Sequence, residues 1–109
     1  MLVKSFSRFL RRISGSIDFN EVSQVVEEVI TRLNENGVNT GRSSFSSPQA
    51  TLHELNGLLT RVRRHDRSTL PQLQILFAPT GDIQEIALSS GWGDRFLDLA
   101  SRFDLAIGR

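Results

Sequence analysis

The segment Asp18–Leu33, with the sequence DFNEVSQVVEEVITRL, decides the fold class of this chain. Its apolar residues recur at intervals of three and four, so on a helix they share an arc of about 140°. They are Val22, Val25, Val26, Val29, Ile30 and Leu33. Valine and isoleucine also suit strands, but a half-buried strand requires strict alternation. The spacing therefore predicts a helix over residues 18–36.

Polar residues mark the ends and the solvent side of this first helix. Asp18 and Glu21 have capping-box spacing, and Gly37 offers the left-handed residue that often ends a helix. The solvated face is predicted to consist of Gln24, Glu27, Glu28 and Thr31.

A second long helix is predicted over residues 47–65. Ser47 is a suitable N-cap, and Pro48 suits the first helical position. The buried stripe consists of Leu52, Leu55, Leu58, Leu59 and Val62. Gly57 interrupts the helix and predicts a point where another backbone crosses closely. The basic segment 61–67 follows, and its cations favour the negative end of the helix dipole.

Dense turn signals divide the last third of the chain into short helices. Pro79 stops the helix before it, and Asp82 and Glu85 have capping-box spacing for the next one. Gly91 predicts a left-handed C-cap. The helices that follow residue 67 are predicted to be lined by Leu70, Leu73, Ile75, Leu76 and Phe77, then Ile83, Ile86, Ala87 and Leu88, then Phe96, Leu97, Leu99, Ala100 and Phe103. Residues 72–75 alternate between polar and apolar, which leaves a strand as the rival interpretation for residues 70–77.

These patterns predict an all-α fold in which residues 1–109 form one domain of five or six helices, two of them long and the rest short. The Ser-rich segment 37–47 is interpreted as a loop. The residues expected to be buried are Val22, Val26, Val29, Ile30, Leu33, Leu52, Leu55, Leu59, Phe96 and Phe103.

Residues 1–17 are basic and amphipathic. They contain no acidic residue, and their apolar side chains share an arc of about 120° opposite the cations Lys4, Arg8, Arg11 and Arg12. A helix docked on the core is the favoured interpretation. A helix on an anionic membrane surface and an organellar presequence are the alternatives.

Composition narrows the functional classes. The chain carries 13 basic and 12 acidic residues, for a net charge of +1, which is too balanced for a dedicated nucleic-acid binder. It has no cysteine, which excludes thiolate metal sites and fits a reducing compartment, so a cytoplasmic location is expected. No apolar run is long enough to span a membrane.

No catalytic arrangement is recognisable in the sequence. The two histidines, His53 and His65, lack metal-ligand spacing, and neither a phosphate loop nor a dinucleotide fingerprint occurs. We therefore expect a protein that is not an enzyme and that binds neither cofactor nor metal.

Trp92, bracketed by Gly91 and Gly93, has two interpretations. In the favoured one, the indole plugs a helix–helix corner from inside. In the other, it is a partly exposed anchor for a partner protein, and Asp82, Glu85 and Asp94 surround it as partner-binding candidates, because tryptophan is enriched at interface hot spots.

The segments LFAPTGDIQE at 76–85, GW at 91–92 and FLDLASRFD at 96–104 resemble a signature of small uncharacterised bacterial proteins. In size and helical make-up the chain is also similar to immunity proteins encoded beside polymorphic toxins. The resemblance covers residues 50–104. It implies a binding protein that occludes a toxin, although immunity proteins are commonly acidic and this chain is not.

The expected function is accordingly non-catalytic protein binding of the immunity type. The alternative is an adaptor for a membrane surface or nucleic acid, which would use the basic segments 4–12 and 61–67.

Overall fold

The part of the chain that the structure describes is built from five α-helices. The computed structural model describes residues 16–35 and 48–108. The helices are α1 (Phe19–Asn34), α2 (Pro48–Val62), α3 (Leu70–Leu76), α4 (Asp82–Ser90) and α5 (Gly93–Ala106), with a 3-10 turn at Arg67–Thr69. No strand occurs among the described residues. The all-α prediction is thus confirmed, and residues 70–76 are helix.

Helix α1 is the centre of the core, since it packs against both α2 and α5. Its four valines, at 22, 25, 26 and 29, are fully buried. Helix α5, with 14 residues, is nearly as long as α1 and α2 and contributes Phe96 and Phe103. Phe77 stacks on both of these rings, at centroid distances of 6.2 and 4.9 Å. Of the ten residues predicted to be buried, eight are; Ile30 and Leu52 are half-buried at the margin.

Three apolar residues predicted to line the short helices instead face solvent. Ile75, Leu88 and Leu97 are 64%, 62% and 56% exposed. At 100° per residue, each of them lies well outside the arc formed by the buried residues of its own helix. The prediction assigned them inward because they are apolar, whereas their helical position points outward.

The ends of α1 agree only partly with the prediction. The Asp18 carboxylate accepts a hydrogen bond from the Glu21 amide at 3.1 Å, as expected of an N-cap. The helix ends at Asn34, because Glu35 is already extended, two residues before the predicted end. The proposed cap Gly37, Ser47, the loop 37–47 and the N-terminal residues 1–15 lie outside the described residues.

The turn before α4 corrects one prediction and the turn after it confirms another. Gly81, not Asp82, occupies the N-cap position of α4, and Asp82 is the first helical residue. A side chain at position 81 would lie only 3.0 Å from the carbonyl oxygens of Ile75 and Ala78, so the tight turn after α3 requires glycine there. Gly91 adopts the predicted left-handed conformation, with φ at 88°.

Candidate functional site

Helices α1 and α5 run antiparallel and are joined by ion pairs in matching register. The Asp18 amide donates to the Ala106 carbonyl at 2.8 Å, which fixes the start of α1 beside the end of α5. Arg102 contacts both carboxylate oxygens of Glu21, at 2.9 and 3.2 Å. One heptad along each helix, Arg95 contacts both oxygens of Glu28 at 2.6 Å. Two hydrogen bonds between one arginine and one carboxylate fix the relative orientation of the two side chains as well as pairing their charges.

The two ion pairs differ in burial, since the Arg95 and Glu28 side chains are 36% and 26% exposed. The Glu21 side chain is only 5% exposed, and hydrogen bonding to its carboxylate raises the pKa of Arg102. The hydrogen bond from Arg95, aided by Arg32, lowers the pKa of Glu28 to about 2. Glu28 was predicted to belong to the solvated face and Glu21 to a capping box. Both carboxylates instead connect α1 to α5, so the assignment of Glu28 to the solvated face was wrong.

Trp92 lies at the end of the same α1–α5 interface. The indole is half-buried against the core, and the guanidinium of Arg32 lies over its ring at 5.5 Å from the centroid. A cation over an indole face is a favourable contact. The side chain is therefore partly buried and partly exposed, which agrees in part with each of the two interpretations of its role.

The predicted partner-binding residues are spread along α4 and α5. Asp82 and Glu85 are half-buried in the first turn of α4, whereas Trp92 follows the last turn of that helix. The rise along α4 separates Asp82 from Trp92 by about 15 Å. Of the three acids, Asp94 is the one close to Trp92 along the chain, and it is exposed. Their role in binding stays a prediction.

The exposed side of α5 continues onto the end of α4. Leu88 lies over Gly93, because a Cβ added at Gly93 would meet the Leu88 side chain at 2.7 Å. Leu97 is one helical turn beyond Gly93 on the same face. We call this region the corner surface, and it consists of Leu88, Trp92, Asp94, Leu97 and Asp98.

The C-terminal part of the described sequence is acidic. Residues 81–108 contain five carboxylates, Asp82, Glu85, Asp94, Asp98 and Asp104, and two arginines, both of which pair with α1. The overall charge of +1 therefore conceals an acidic α4–α5 unit.

The basic segment 61–67 is partly neutralised. Arg61 pairs with Asp66 at 3.0 Å, and Arg63 pairs with Glu27 of α1 at 2.6 Å. Hydrogen bonds from Ser68 and Arg61 lower the pKa of Asp66 to about 2. Arg64 and Arg67 have no ion-pair partner among the described residues. The other basic segment, 4–12, lies outside these residues.

An open groove of about 540 Å³ lies between α2 and the chain that leads into α3. Two hydrogen bonds bridge it: the Gln72 amide donates to the Glu54 carboxylate, and the Arg61 guanidinium donates to the Ser68 hydroxyl. Gly57 lies on its wall, and no atom comes within 4 Å of a Cβ built there. The prediction of a close helix crossing at Gly57 was wrong, because this face of α2 borders solvent.

The described residues hold no group of three or more side chains suited to a metal ion, and no helix among them is long and apolar enough to cross a bilayer. No protein-family model matches the chain, and comparisons with curated proteins and with solved structures found no significant similarity.

Proposed function

We propose that this protein is a non-catalytic binding protein that occludes another protein through the corner surface, in the manner of an immunity-type inhibitor. The observation that carries the proposal is the composition of that surface. Two leucines exposed by more than half and two exposed carboxylates lie within about six residues of a half-buried tryptophan along the chain. A partly buried aromatic anchor with apolar neighbours and a polar rim is the usual anatomy of a binding hot spot.

The charge of the surface indicates what kind of partner it fits. Because α4 and α5 are acidic while their arginines are engaged with α1, a basic partner surface is the complementary one. Toxins that act on nucleic acids present such basic surfaces. The net charge of +1 does not oppose this role, since residues 81–108 carry five carboxylates against two arginines.

The test is a titration of the purified chain against the product of the adjacent reading frame. We expect a complex that weakens with salt. Asp94→Arg and Leu88→Asp are each expected to weaken it at least about 10-fold, as hot-spot residues do. Ile75→Asp is the matched control, because Ile75 is equally exposed but belongs to α3.

Equal affinity of the corner variants and the control would contradict the proposal. The adaptor alternative makes a different prediction. In that case the chain binds duplex DNA or anionic vesicles, and the double variant Arg64→Glu, Arg67→Glu loses this binding while Asp94→Arg does not.

A further inference from the structure

The solvent side of α5 forms a continuous strip that is both apolar and acidic. At 100° per residue, Asp94, Leu97, Asp98, Ser101, Asp104 and Leu105 share an arc of about 120° on the side opposite Phe96 and Phe103. Leu97 is more than half exposed, and Leu88 extends the strip beyond Gly93. An apolar surface of this kind is suited to a covering segment.

The strip ends where the N-terminal part of the chain is attached. The Asp18 amide is bonded to the Ala106 carbonyl, and Ile17 packs against the core. Residues 1–15 therefore start from the C-terminal end of α5. As a helix they would extend about 22 Å, and Gly93 is about 20 Å from Ala106 along α5. The segment has the length needed to cover the strip.

The two surfaces are also complementary in chemistry. Residues 1–17 carry four cations and no acid, with an apolar arc that includes Phe6, Phe9 and Ile13. Asp94 and Asp104 are exposed, and Asp98, 73% exposed, makes only a 3.6 Å contact with Arg95. The apolar arc matches Leu97 and Leu88, while the cations match the carboxylates on either side.

We propose that residues 1–15 bind as an amphipathic helix along the outer face of α5, parallel to it, with their apolar arc on Leu97 and Leu88. This inference stands whether or not the corner surface also binds a partner. If it does, the segment and the partner occupy the same surface and compete for it.

The absence of cysteine makes a direct test possible in the full chain. A nitroxide label on Ser5→Cys would lie about 15 Å back from Ala106 in the proposed arrangement, near Leu97. We expect the label to broaden amide resonances of residues 93–98 more than those of α2 and α3. Salt is expected to weaken the effect, because the exposed charges are screened.

Phe9→Glu and Leu97→Asp, each introduced into the labelled chain, are expected to abolish the broadening, and Ile75→Asp to preserve it. Circular dichroism checks that each variant remains folded. If Leu97→Asp does not fold, Leu88→Asp replaces it in the test. Broadening that is absent from α5, lies mainly on α2 or α3, or survives both substitutions would overturn the proposal. Binding of the labelled segment to anionic vesicles, with no broadening of α5, would assign it to the membrane instead.

Discussion

The two sides of helix α5 differ in how their charged and apolar groups are used. On the inner side, Arg95 and Arg102 each contact both oxygens of a carboxylate on α1, and the phenylalanine that follows each of them is buried. On the outer side, Leu97, Asp94 and Asp98 have large exposed areas. The comparison suggests that the inner side determines stability, and that the outer side is available for recognition.

The largest expected effect comes from removing an aromatic ring on the inner side. Phe103→Ala is expected to lower the free energy of unfolding by about 3–5 kcal/mol, because the ring is buried and stacks on Phe77. Chemical denaturation measures the change. Leu97→Ala is the control, with an expected loss of about 1 kcal/mol, since more than half of that side chain is already exposed. Similar losses for the two variants would remove the distinction between the sides.

The next effect concerns the ion pair at the buried end of the interface. Glu21→Ala leaves Arg102 without the carboxylate that it contacts through two nitrogens, and we expect a loss of about 3 kcal/mol. Glu27→Ala, which breaks the exposed pair with Arg63, is expected to cost no more than about 1 kcal/mol. If denaturant titrations show a larger loss of stability for Glu27→Ala than for Glu21→Ala, burial does not determine how much these ion pairs contribute to stability.

The smallest expected effect has the opposite sign and lies away from α5. Gly57→Ala is expected to stabilise the protein by about 0.5–1 kcal/mol, because alanine favours helix and a Cβ at that position meets no atom within 4 Å. A rise in melting temperature checks this. A fall would mean that the groove on α2 closes on Gly57 in solution.

The helices could be predicted from the sequence because their apolar spacing is a local property. The valines of α1 recur at helical intervals, and Gly91 has the conformation that a C-cap glycine normally adopts. Residues 70–76 could not be assigned locally, since a strand would also alternate. Their helical state depends on Leu73 and Leu76 facing the core together, which is a tertiary property.

The interface between α1 and α5 could not be predicted from residue type alone. Glu28 and Arg95 are 67 positions apart in sequence, and nothing near either of them indicates the other. One signal was nevertheless present. Glu21 and Glu28 are a heptad apart, as are Arg95 and Arg102, and two antiparallel helices with these spacings bring both pairs together.

The exposed leucines were mispredicted for a different reason. Leu88 and Leu97 were assigned to the core because they are apolar, although projection at 100° per residue places both outside the buried arc. Residue type outweighed position in that prediction. The same residues now form the apolar part of the corner surface.

The two carboxylates that contact Arg95 allow the most direct test of the difference between the sides of α5. Glu28 binds Arg95 from α1 at 2.6 Å, whereas Asp98 lies on α5 itself, 73% exposed and 3.6 Å from the guanidinium. The measurement is the free energy of unfolding of Glu28→Gln and Asp98→Asn as a function of pH. Because the pKa of Glu28 falls from 4.5 to about 2 on folding, its contribution is complete above about pH 5 and is lost as the pH falls toward 2.

We predict that Glu28→Gln lowers stability by about 1–2 kcal/mol at pH 7 and flattens its decline in acid. Asp98→Asn is predicted to change stability by no more than about 0.5 kcal/mol and to leave the acid decline as it is in the unsubstituted chain. Equal losses at pH 7, or an acid decline that is flattened by Asp98→Asn and not by Glu28→Gln, would contradict the assignment of stability to the inner side of α5.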